Sequence, residues 1–196
     1  MYLVVALIVG WTFGIGGVMG GCGLLRFYQE PDTAVEVHEP ANDGFDAYFA
    51  QQQKAAKEAS AKALNDNAGR MVPLAAANVL LSALLIVACA RALAAKRNAH
   101  NLALQAVAAN IVYAIADYFV SAPIREAVIA AASVRPAPAD MQQLDPNQLA
   151  LAVTWSFRLL SAGHVFTLGL IAYALTRPKV VAFFRPDDDE PTSEES

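Results

Sequence analysis

Residues 2–25 (YLVVALIVGWTFGIGGVMGGCGLL) carry no charged side chain, and seven of the 24 positions are glycine. An uninterrupted apolar run of this length spans a hydrocarbon layer about 30 Å thick when it is helical. Inside lipid it has to be helical, because every backbone N–H and C=O needs a partner within the segment. At 100° per residue, Gly10, Gly14, Gly17 and Gly21 fall within about 60° of one another, while Gly16, Gly20 and Gly23 form a second stripe about 120° away. Two sides of the helix therefore lack side chains. Burying apolar surface drives nothing between helices in lipid, so such grooves act by letting backbones approach and gain dispersion contact. The pattern predicts that two neighbours dock on this helix, with Gly10, Gly14, Gly16, Gly17, Gly20 and Gly21 as the packing residues.

A secretory signal would begin with a cationic segment and have a shorter apolar core. Met19-Gly20-Gly21-Cys22 offers the small residues and cysteine of a lipoprotein cleavage site, but Met fills its apolar position and the basic start is missing. The helix is expected to be retained.

Composition agrees with a membrane setting, since 56% of the 196 residues are hydrophobic and only 16% are charged, against about a quarter charged in soluble domains. The net charge of -4 comes from an acidic loop and an acidic tail. No clustered basic face exists to neutralise phosphates, so a nucleic-acid partner is not expected. Cys22 and Cys89 lie in separate apolar runs, and His38, His100 and His164 fall one to a region. No Cys-x-x-Cys pair or bis-histidine arrangement follows, so no metal, haem or other cofactor is expected.

Three more spans are predicted, over about residues 71–95, 101–121 and 149–176, giving an all-α antiparallel bundle of four transmembrane helices in residues 1–176. Between the first two, residues 26–70 form a polar loop whose first part holds Pro31, Pro40 and Gly44 and reads as irregular. Residues 45–64 (FDAYFAQQQKAAKEASAKAL) are rich in alanine, glutamine and lysine, with Lys54, Glu58 and Lys62 spaced by four, which predicts an exposed helix. Phe45, Tyr48 and Phe49 at its start are expected to cover the ends of the membrane helices. Asn65 to Gly69 supply stop chemistry, and Pro73 is expected in the first turn of the second span.

The short link around Lys96 and Arg97 forces the third span to return antiparallel. Pro123 ends or bends its membrane part, with a helical extension over residues 124–134 inside an outward loop of residues 122–148. Asp145-Pro146 pairs an N-cap residue with proline at the first helical position and announces the fourth span. Residues 177–196 end in a run of acidic side chains and read as a disordered tail. Basic residues crowd the link (Arg91, Lys96, Arg97) and follow the last span (Arg177, Lys179, Arg185). The positive-inside rule then puts both termini in the cytoplasm. Cys22 and Cys89 are expected near opposite ends of their spans, too far apart for an intrachain disulfide.

Asp117 and Arg158 are the one pair of oppositely charged residues well inside predicted spans. Each alone in hydrocarbon is penalised by about 3 kcal/mol on insertion scales, so they are expected to meet. Helix rise puts Asp117 about 8 Å, Asn78 about 9 Å and Arg158 about 13 Å below the outer boundary. A polar layer of Asn78, Asn110, Asp117, Thr154 and Arg158 follows as the candidate intramembrane cluster. Its bland reading is a salt bridge that fixes helix register; its functional reading is an outward pocket or ion path in which Asp117 titrates. His164 is expected to hydrogen-bond a neighbouring helix, and Tyr113 and Trp155 to pack.

No Gly-x-Ser-x-Gly, His-Glu-x-x-His or Gly-x-x-x-x-Gly-Lys motif occurs, and no enzymatic activity is expected. The leading functional expectation is a membrane scaffold or accessory subunit that meets copies of itself or other membrane proteins through its glycine faces. The other is a small transporter or channel component built on Asp117 and Arg158.

Overall fold

The computed structural model describes residues 2–29, 45–96, 99–133 and 146–184, all helical apart from short turns. Seven helices follow in order: α1 (Tyr2–Gln29), α2 (Phe45–Asp66), α3 (Ala68–Leu93), α4 (Ala99–Val120), α5 (Ala122–Ser133), α6 (Pro146–Thr176) and α7 (Pro178–Phe184). Four of them, α1, α3, α4 and α6, hold windows long and apolar enough to cross a membrane. They pack in a closed ring, α1 on α3, α3 on α4, α4 on α6 and α6 back on α1. This is an all-α four-helix membrane bundle, and it fits a multi-pass membrane protein. Trp11, Leu80, Val112, Phe119, Leu159 and Phe166 stand exposed on its outside. In water such apolar cover is a liability; in lipid it matches the solvent.

The tightest seam is between α1 and α3, where Gly10, Gly14, Gly17 and Gly21 face Cys89, Ile86, Ser82 and Val79. A Cβ built on Gly14 would lie 2.9 Å from the backbone oxygen of Ser82, closer than carbon atoms tolerate. One predicted stripe is therefore occupied within the chain. The other is not: a Cβ on Gly16, Gly20 or Gly23 meets nothing within 4 Å. The expectation of two docked neighbours is met on one side only.

The core lies at one end of the bundle. Leu7 from the start of α1, Leu85 and Cys89 from the end of α3, Val107 from the start of α4, and Leu168 and Leu175 from the end of α6 are almost wholly buried. Small residues let the helices close here, with Ala88, Ala99, Ala103 and Ala106 at 0% exposure. The opposite half of the bundle, towards α2 and α5, is packed less fully.

Several boundaries differ from the sequence expectation. α1 runs on to Gln29, and its Tyr28 hydroxyl donates to the Leu64 carbonyl at 3.0 Å. Only Asn67 separates α2 from α3, its side-chain nitrogen donating to Ala63 O at 2.8 Å. The five-residue stop thus shrinks to one residue, and Pro73 falls at the sixth position of α3, where the Gly69 carbonyl loses its helical donor. α5 leaves α4 at Ser121 and packs on α2 and α6. Residues 178–184, expected in the disordered tail, form α7 instead and return against α6 and α4. Phe184 packs on the core cluster and lies 5.9 Å from the His100 ring, which explains the helix: the apolar stretch Val180, Val181, Phe183 and Phe184 has a surface to cover. The start of the outward loop with Pro31, Pro40 and Gly44, the side chains of Phe45, Tyr48 and Phe49, Asp145 and the acidic end of the tail lie outside the described residues. Cys22 is exposed and Cys89 buried, and both are free thiols, as the antiparallel arrangement required.

Candidate functional site: a polar cleft between the membrane helices

The half of the bundle left open by the core contains a cleft of about 580 Å³ joined by shared walls to a second lobe of about 230 Å³. Phe13 and Gly17 of α1, Asn78 of α3, Tyr113 and Asp117 of α4 and His164 of α6 line both lobes. The unpartnered glycines Gly16 and Gly20 also line the larger lobe. The second stripe is therefore one wall of an opening that begins where side chains are missing.

On α4 the site continues the buried stripe. Ala99, Ala103, Ala106 and Asn110 recur at intervals of three and four, and the same spacing carries on to Tyr113 and Asp117. The predicted polar face of this helix accordingly turns inward. Asn110 is 6% exposed and donates from one side-chain nitrogen to Ala106 O at 2.8 Å and Leu81 O at 3.1 Å. Asn78 donates to Gly17 O at 3.1 Å and accepts from the Ser82 hydroxyl at 3.1 Å. Both amides are committed to holding α3 against its neighbours.

Asp117 is different. Its backbone carbonyl accepts from the Ser121 hydroxyl at 2.6 Å, yet among the described residues no side chain hydrogen-bonds or ion-pairs with its carboxylate. Among the described residues no fully enclosed side-chain oxygen or nitrogen lacks a partner, so the carboxylate oxygens reach the open space of the cleft. Among the described residues, His164, Arg125 and Tyr113 are the charged or titratable side chains within electrostatic reach of it. Arg125 is held elsewhere, its guanidinium 4.1 Å from the Tyr118 ring centroid and donating to Ser121 Oγ at 2.7 Å. Among the described residues, no lysine or arginine lines either lobe.

The expected pairing of Asp117 with Arg158 does not occur. Arg158 is exposed, with its guanidinium 5.4 Å from the Trp155 ring, and it lines a shallow outer depression with Ile115, Tyr118 and Ser161, of which only Ser161 also borders the smaller lobe. The packed face of α6 runs through Leu168, Ile171 and Leu175 and continues to His164, and Arg158 lies about 110° from its centre. A long methylene stem lets this cation lie along the outside of the bundle, so it has no need of a carboxylate in the interior. Thr154 also stays apart and donates back to Ala150 O at 2.8 Å within its own helix. Of the five residues in the candidate cluster, Asn78, Asn110 and Asp117 share the smaller lobe, while Thr154 and Arg158 do not.

In their place stand Tyr113 and His164, which sequence reasoning gave packing and hydrogen-bonding roles. His164 makes no hydrogen bond among the described residues; its ring meets Phe13 edge-to-face, with centroids 4.9 Å apart. No signal in the sequence singles out His164, because its register becomes telling only once packing has chosen the face. His164 shares the i, i+4, i+7, i+11 spacing of Leu168, Ile171 and Leu175, all of which are buried. No three of His, Cys, Asp and Glu among the described residues gather closely enough to hold a metal ion.

Chemically the cleft offers one carboxylate, one imidazole, one phenol and two aromatic faces, on walls that glycine keeps low. That set suits a cation or a hydrogen-bond donor and is unsuited to an anion. No protein-family model, curated protein or solved structure matches this chain.

Proposed function

We propose that this protein is a non-enzymatic membrane component that binds a small organic cation in the cleft, as part of a transporter or channel. The observation that carries this reading is an unpaired carboxylate, Asp117, lining a cavity of about 580 Å³ within the length of the membrane helices. A carboxylate in hydrocarbon is penalised unless it meets a proton, a cation or water. Phe13 and Tyr113 add ring faces, which attract ammonium groups through their quadrupole. The test is calorimetric titration of the detergent-solubilised protein with choline and with 3,3-dimethylbutan-1-ol, its uncharged isostere. Choline should bind at least about tenfold more tightly, a difference near 1.4 kcal/mol. Asp117→Asn should abolish that preference and Arg158→Gln should keep it. Equal binding of the two compounds, or an unchanged preference in Asp117→Asn, would end the proposal.

The scaffold reading is favoured by one observation, the open stripe of Gly16, Gly20 and Gly23. Under it, Gly20→Leu would disperse an assembly that Gly20→Ala leaves intact, as followed by sedimentation in detergent. The orientation that accompanies both readings puts the link at Lys96 and the two termini in the cytoplasm and α2 outside. In a cysteine-free background, an impermeant maleimide applied to intact cells should label Lys57→Cys and spare Lys96→Cys; the reverse pattern would invert the topology.

A further inference from the structure

At the opposite end of the bundle from the cleft, the start of α1 and the junction of α6 with α7 enclose a groove of about 540 Å³. Its lining divides by chemistry. Leu3, Ala174 and Val180 give it an apolar floor, Tyr2 and Tyr173 flank it, and Arg177 and Lys179 supply two cations at its rim.

The junction itself explains how the cations come to be there. α6 stops at Thr176 because Pro178 follows, and α7 starts with the N–H groups of Val180 and Val181 donating to Arg177 O at 2.9 and 3.0 Å. The chain turns back under the bundle, so that Phe184 reaches the core cluster while Arg177 and Lys179 remain exposed beside the last turn of α6. Arg177 is steadied there, its guanidinium 5.0 Å from the Tyr173 ring centroid and one nitrogen 3.4 Å from the Tyr173 hydroxyl. That leaves most of its N–H donors unused. Lys179 has no hydrogen-bond or ion-pair partner among the described residues.

Tyrosines at the end of a membrane helix sit at headgroup depth, and basic pockets between helix ends match anionic lipid headgroups. We propose that this groove is a binding site for an anionic phospholipid, with the phosphate held between Arg177 and Lys179 and an acyl chain along Leu3, Ala174 and Val180. A guanidinium fork pairs with phosphate through two parallel hydrogen bonds, and the lysine adds a point charge. The floor distinguishes a lipid from a soluble phosphate, which has nothing to place there. The site does not depend on the cleft and stands or falls separately from it. Arg91 and Lys96 are exposed at the same end of the bundle but do not line the groove, which makes them the internal control. Asp187, Asp188, Asp189 and Glu190 follow α7 closely in sequence, so the full chain is the correct object to test.

The experiment is native mass spectrometry of the full-length protein released from detergent containing equimolar phosphatidylglycerol and phosphatidylcholine. One phosphatidylglycerol should be retained in preference to phosphatidylcholine. Arg177→Gln with Lys179→Gln should reduce that preference by about thirtyfold, from the loss of two cations near the surface. Arg91→Gln with Lys96→Gln should leave it unchanged, and excess glycerol 1-phosphate should not displace the lipid. Helical circular dichroism and elution volume establish that each variant is folded, and Arg177→Lys with Lys179→Arg, which keeps both charges, should retain the lipid. Equal loss in the two glutamine pairs would reduce the effect to general surface charge, displacement by glycerol 1-phosphate would make the site one for soluble anions, and equal retention of phosphatidylcholine would remove the headgroup's role. Any of these overturns the proposal.

Discussion

The side-chain nitrogen of Asn78 on α3 donates to the backbone oxygen of Gly17 on α1 at 3.1 Å. This bond forms because glycine at position 17 removes the side chain that would hold the two helices apart: a Cβ there would collide with the Ser82 hydroxyl and stand 3.3 Å from Asn78 Oδ1. A polar residue in the span thus acts as a clasp on a surface that small residues bring within reach. Interhelical hydrogen bonds of this kind contribute about 0.6 kcal/mol on average and up to about 1.7 kcal/mol in membrane proteins. Asn78→Ala should lower stability by an amount in that range, read from the midpoint of unfolding in a mixed-micelle denaturant titration. An unchanged midpoint would mean that the amide is equally satisfied without α1.

The two glycine stripes should respond in opposite ways to one added methyl group. Gly14→Ala puts a Cβ 2.6 Å from an Ile86 side-chain carbon and 2.9 Å from Ser82 O, and Gly21→Ala puts one 3.1 Å from Ala75 O. Separation of packed backbones of this order is destabilising by about 1–3 kcal/mol. Gly16→Ala and Gly20→Ala meet nothing within 4 Å. Alanine is the better helix former, so these two should be neutral or slightly stabilising. Equal effects in both stripes, measured by thermal unfolding in detergent, would contradict the α1 and α3 packing described here.

Ala95 should be improved by losing its side chain. It has φ of 50°, the left-handed conformation that disfavours an L-residue by about 1–2 kcal/mol. It adopts this because the end of α3 closes with Lys96 N–H donating to Arg91 O and Ala95 N–H to Ala92 O, at 3.1 Å each. That paired arrangement normally takes glycine at this position. Ala95→Gly should therefore raise the unfolding midpoint, by the equivalent of about 0.5–1 kcal/mol once glycine's greater freedom in the unfolded chain is offset. A lowered midpoint would show that the turn is not held in this conformation.

Asp117 and Arg158 should behave as strangers. They lie on different faces and line different depressions. In a double-mutant cycle with Asp117→Asn and Arg158→Gln, the two stability changes should add to within about 0.5 kcal/mol. A coupling well above that would restore the salt bridge that the sequence alone implies.

The spans of this protein were legible in the sequence because hydrocarbon imposes them. A run such as residues 2–25 has one way to satisfy its backbone in lipid, and α1, α3, α4 and α6 follow wherever such runs occur. The same holds for one face of α4, where Asn110 and Asp117 stand out against apolar neighbours and therefore turn inward. Tertiary structure alone decided which faces meet. On α6 both the buried and the lipid-facing sides are apolar, so periodicity does not separate Leu168 and Leu175 in the core from Leu159 and Phe166 outside it. With that contrast missing, polar residues are the sequence's one marker of the inside of α6, and they point to Arg158. Its flexible stem freed it from any such need, whereas His164, rigid and short, stayed on the stripe that packing had turned toward Asp117. Helix arithmetic fixes the angle between two residues on one helix; only packing against the other three fixes where that angle points.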